Sequence, residues 1–72
     1  MHHLIGSTYY YNALNKLQEC GKASTGEIAK AMGKYATTQQ ALNLLKVMKE
    51  IGIVRVDENL SGNNFYVWGL VK

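Results

Sequence analysis

The sequence predicts a small α+β domain: three helices, a minimal strand near residues 22–24, and a C-terminal β-hairpin. Three observations lead there. Two helix-start signatures, Ser24-Thr25-Gly26-Glu27 and Thr37-Thr38-Gln39-Gln40, begin thirteen residues apart with Gly33 between them. In each, a hydroxyl can accept from the third backbone N–H while a carboxylate or amide reaches back to the cap. After Gly52 the helical spacing stops, and two runs rich in β-branched and aromatic residues follow, IVRV at 53–56 and FYVWGLV at 65–71.

Ser7 or Thr8 can cap a first helix running to about Cys20, where Gly21 supplies a left-handed stop. Tyr10, Ala13, Leu14, Leu17 and Cys20 recur at three- and four-residue spacing and form its apolar stripe. Asn12, Asn15, Lys16 and Glu19 are left to water. On that stripe Cys20 reads as an inert core residue rather than a redox switch. Tyr9, Tyr10 and Tyr11 cannot all point inward, and Tyr10 is the core member. The three residues Lys22, Ala23 and Ser24 are too few for a helix and suit a minimal strand.

The second helix opens at the Ser24 cap, buries Ile28, Ala31 and Met32, and stops at Gly33. The third and longest runs from the Thr37 cap to about Ile51, with Gly52 as its stop. Ala41, Leu44, Leu45, Met48 and Ile51 make its buried stripe, flanked by Leu42 and Val47. Between the strand runs, residues 57–64 are a polar turn-forming cluster centred on Ser61-Gly62-Asn63, which predicts a hairpin with a long polar tip. By period two, Tyr66 and Trp68 share one strand face opposite Phe65 and Val67, and one pair covers the core. All 72 residues are expected to form a single domain, with residues 1–6 flexible.

Composition removes several function classes. Cys20 is the single cysteine, so no intramolecular disulfide forms, and no His/Cys set has metal-ligand spacing. No apolar run exceeds five residues, and the start MHHLIGST lacks a signal-peptide core, so a cytoplasmic location is expected. There is no Ser/His/Asp set, carboxylate pair or phosphate-cradling glycine loop, which argues against an enzyme or a bound cofactor. The net charge is +3, unevenly spread. Between residues 22 and 49 stand Lys22, Lys30, Lys34, Lys46 and Lys49 against Glu27 alone, a local excess of +4. Such a field draws phosphates.

The segments STGEIAKAMG, TTQQALNLLKVMKEIGIVRV and FYVWGLV, with a turn-rich gap before the last, resemble a winged-helix domain over residues 8–71. They look like the core of MarR-type and ArsR-type transcription regulators. The resemblance implies sequence-specific binding of double-stranded DNA by a small regulator, with helix 37–51 in the major groove. Gln39, Asn43 and Lys46 share one surface line of that helix, and Gln40 lies beside it. Amides match adenine N6 and N7, while lysine suits guanine or a phosphate. Thr37 and Thr38, with the helix N-terminal N–H groups, suit a phosphate. Lys34 and Tyr35 in the turn and Lys30 on the second helix are placed for the DNA backbone. Arg55 and Asn63 extend the surface into the wing, opposed by Asp57 and Glu58.

Plainer readings stand beside these. Gln40 serves equally as a cap partner, Tyr35 as packing for Met32, and the whole amide face as a solvated one. Z-alpha domains, winged helices that bind left-handed nucleic acid, also place a tryptophan on the last strand. They require an asparagine and a tyrosine where this chain has Leu42 and Lys46, and wing prolines that it lacks. The rival from another class is a winged-helix protein–protein interaction module using exposed tyrosines. A homodimer is compatible with either reading, since one copy covers few base pairs.

Overall fold

A computed structural model describes residues 7–59, 61–62 and 66–71. Three helices and a three-stranded antiparallel sheet form a winged-helix-like α+β fold, in the order α1 (Thr8–Cys20), β1 (Lys22–Ser24), α2 (Thr25–Met32), α3 (Thr38–Glu50), β2 (Val54–Val56) and β3 (Val67–Leu70). The strand order is β1-β3-β2, so the last strand lies between the other two. Residues 1–6, Asn63 and Phe65, on which expectations were placed, lie outside the described residues.

The caps act as their chemistry dictates. Ser7 accepts from the Tyr10 N–H to start α1, and Gly21 ends it at φ 80. Ser24 and Glu27 close a full capping box on α2, and Thr37 and Gln40 close another on α3. In the first box the Ser24 N–H donates to the Glu27 carboxylate at 3.1 Å. That bond, reinforced by the Ser24 hydroxyl and then by Lys16 and Lys30, holds the Glu27 carboxyl below its ordinary range. Its folded value is lowered, so its contribution is complete above the unfolded value and is lost as pH falls through the folded one. Past α3, Gly52 sits at φ 87, where a side chain would be strained.

The core lies between the helices and the inner face of the sheet. Ala13 and Leu17 come from α1; Ile28, Ala29 and Met32 from α2; Ala41, Leu44, Leu45 and Met48 from α3; Ala23, Val54 and Trp68 from the strands. Trp68 faces Ala23 on one side and Val56 on the other, and the small alanine leaves space for the indole. Its Nε1–H donates to the buried Thr25 hydroxyl at 2.8 Å. The Thr25 N–H in turn donates to the Tyr66 carbonyl. The first residue of α2 is thereby fixed once to β3 and once to the residue before it. Thr25→Val is expected to cost about 1–3 kcal/mol by leaving the indole N–H unpaired, and Thr25→Ser clearly less. Urea unfolding followed by Trp68 fluorescence checks this, and equal losses for the two variants would remove the hydrogen bond from the account.

Four expectations are corrected. Cys20 is exposed, because α1 reaches the core only as far as Leu17 and its last three residues all face solvent. Ile51 is also exposed: it is the C-cap of α3, where the helical period that would turn it inward has ended. The inner face of α2 carries Thr25, Ile28, Ala29 and Met32, a complete i, i+3, i+4, i+7 set, and Ala31 is only half-buried. Asn12 does not face water alone. It is half-buried, and its Nδ2 donates at 2.8 Å to the Met32 carbonyl, one of the acceptors that the end of α2 leaves open.

The outer face of the sheet holds one charged feature. Lys22, Gly69 and Arg55 stand in a single row across β1, β3 and β2. The Lys22 side chain lies over Gly69 and forms an ion pair with Asp57, which is buried. A Cβ on residue 69 would stand 3.6 Å from Lys22 Cγ, an ordinary van der Waals contact. Asp57 also closes the hairpin base, its Oδ1 accepting from the Asn59 N–H. The Ser61 hydroxyl donates to the Asp57 carbonyl and accepts from the Val67 N–H.

Candidate nucleic-acid interface

The two faces of α3 have opposite characters. Ala41, Leu44, Leu45 and Met48 are fully buried, which fixes the rotation of the helix. Thr37, Thr38, Gln39, Gln40, Asn43 and Lys46 are all exposed, so the polar face is clear of the chain's own hairpin among the described residues. Burial of the apolar stripe is therefore what aims the amides outward.

Their side chains divide into two groups. Thr37 and Gln40 are committed to the helix start: the Thr37 hydroxyl accepts from the Gln40 N–H at 3.1 Å, and Gln40 Oε1 accepts from the Thr37 N–H at 3.0 Å. Gln39 and Asn43 instead bond to each other, Nε2 donating to Oδ1 at 2.9 Å. Lys46 continues the same line one turn on. Beside Asn43 the surface drops into a recess of about 200 Å³ lined by Tyr9, Met32, Gln40, Asn43 and Leu44.

In the turn before α3, Lys34 and Tyr35 are both exposed, and Lys34 Nζ stands 5.6 Å from the Tyr35 ring centroid. Tyr35 is 81% exposed, so it is not packed into the core beside Met32. The Ala36 N–H donates to the Gly33 carbonyl and holds the turn tight. Lys30 is exposed on α2. The structure thus brings residues 34, 35, 37–40, 43 and 46 onto one continuous stretch of turn and helix.

Arg55 projects from the outer face of the sheet, in the row with Lys22 and Gly69. Lys22 counts less toward the basic field than the sequence implies, because Asp57 holds it. In the same contact Asp57 is buried, and of the two wing-base acids only Glu58 is exposed. The ion pair carries no sequence signal, since it depends on strands meeting from distant parts of the chain.

The exposed tyrosines Tyr11, Tyr35 and Tyr66 make no ring contact with one another. Tyr11 packs edge-on against Tyr10 at 5.1 Å, while Tyr66, 48% exposed, lies 6.0 Å from the buried Trp68. Tyr66 precedes the first residue of β3, so the alternation that buries Trp68 does not extend to it. No described helix is long and apolar enough to cross a membrane, and among the described residues no cluster of His, Cys, Asp or Glu could hold a metal ion. No family model matches the chain, and no curated protein or solved structure is similar enough to count as a relative.

Proposed function

We propose that this protein binds double-stranded DNA with sequence preference, as a small winged helix-turn-helix regulator that places α3 in the major groove. The observation that carries the reading is the unobstructed face of α3, bearing Gln39, Asn43 and Lys46 on the side opposite a fully buried stripe. A helix that enters a groove needs its N-terminal half exposed and its rotation fixed, and these residues meet both needs. Lys30, Lys34 and the N–H groups behind Thr37 and Thr38 flank that face and supply phosphate contacts, which position the helix without reading bases.

A salt titration on random-sequence duplex DNA tests the reading. With four to six phosphate contacts, the logarithm of the affinity falls against the logarithm of salt with a slope of about −4 to −5. Binding that is absent at low salt, or insensitive to salt, would sink it. The second reading, a protein-interaction module, draws on Tyr11, Tyr35 and Tyr66, each exposed. Their rings make no contact with one another, whereas a protein interface concentrates its energy in one packed cluster. The DNA reading is favoured for that reason.

A further inference from the structure

We propose that Asn43 is the base-reading side chain of α3, that Gln39 holds its amide in one orientation, and that the base read is adenine. The inference rests on the duplex-DNA reading above and adds the identity of the base.

Elimination comes first. Thr37 and Gln40 direct their side chains at the helix start, each bonded to the other's backbone. Lys46 carries donors only and suits guanine or a phosphate oxygen. Gln39 and Asn43 are the remaining exposed groups on the line that own both a donor and an acceptor. An unrestrained terminal amide presents its oxygen and nitrogen in either order, so by itself it discriminates little. In the structure the pair has one order, Gln39 Nε2 donating to Asn43 Oδ1 across one helical turn.

That bond uses one proton of Gln39 and one lone pair of Asn43. Asn43 keeps both protons on Nδ2 and the second lone pair on Oδ1. A donor beside an acceptor is the complement of adenine, whose N7 accepts and whose N6 amino group donates. Guanine presents two acceptors at the same edge, and its O6 repels Oδ1. The orientation also exists before DNA arrives, so less side-chain freedom is lost on binding. Gln39 is thus a positioning residue and Asn43 the reader.

The test is selection from a random duplex pool by the whole protein and by three variants. The parent enriches an adenine at one fixed position, preferred roughly 5- to 150-fold over the other bases. Asn43→Ala binds the pool with that enrichment gone. Gln39→Glu is the sharper variant: a carboxylate only accepts, so Asn43 must turn and donate to it, reversing the order of donor and acceptor. Its adenine preference is lost. Gln40→Glu puts the same charge one residue away and keeps a capping box; it lowers affinity and retains the adenine. Enrichment of the same adenine by Asn43→Ala or by Gln39→Glu overturns the inference while leaving DNA binding in place. A parent that retains no duplex from the pool overturns the DNA reading and this inference together.

Discussion

Truncating Leu44 to alanine is expected to remove about 2–5 kcal/mol of stability. Leu44 is fully buried on α3, among residues contributed by all three helices and the sheet. The loss combines the transfer free energy of the deleted atoms with the cavity left behind, which the surrounding side chains fill only in part. A domain of this length has roughly 4–10 kcal/mol in total, at about 0.05–0.15 kcal/mol per residue. One core leucine therefore carries between a fifth of the stability and all of it. Urea unfolding read from Trp68, the single tryptophan, measures the change. A cost below about 1 kcal/mol would mean that α3 is not seated as described. The same substitution tests how presentation depends on packing, since the amides of α3 face outward only while its underside is held.

The second large effect concerns DNA. Replacing Lys30, Lys34 and Lys46 together by glutamine is expected to weaken binding to every duplex roughly 10²–10³-fold at 0.1 M salt, and to reduce the salt slope by about 2.7. All three are exposed, Lys34 and Lys46 on the turn and helix stretch assigned to the interface and Lys30 on α2. Each contact to a phosphate releases counterions, and three lost contacts multiply rather than average. The triple variant should fold like the parent, because none of these side chains enters the core. Unchanged affinity and slope would place the phosphate contacts elsewhere on the molecule. A change confined to one DNA sequence would show that these lysines read bases.

Much of the fold is legible in the sequence because its signals are local. Both capping boxes, the glycine stops at positions 21 and 52 and the apolar stripe of α3 are set by neighbours within one or two turns. The errors fall at helix ends, where the apolar spacing continues but the core does not. Cys20 and Ile51 continue the spacing of α1 and α3 and are exposed because the helices end there. The division of labour in the candidate site was less accessible. Nothing in TTQQALN separates a capping glutamine from one that steadies an asparagine, and the hydrogen bonds make that distinction. Asp57 is the furthest case. The sequence reads it as a carboxylate set against phosphate, whereas a lysine 35 positions earlier in the chain, reaching across the sheet, neutralises it.

The strand order has a consequence for how copies of this molecule meet. β3 is enclosed on both sides, and the strands flanking it, β1 and β2, are three residues long. A neighbour aligning its backbone with either rim gains at most three rungs of a ladder, and on β2 the middle rung bears Arg55. Short rims with a central cation discourage ribbon growth. Crowding at high concentration therefore gives this sheet little purchase for fibrils, and any lasting pairing of two copies must be made through side chains.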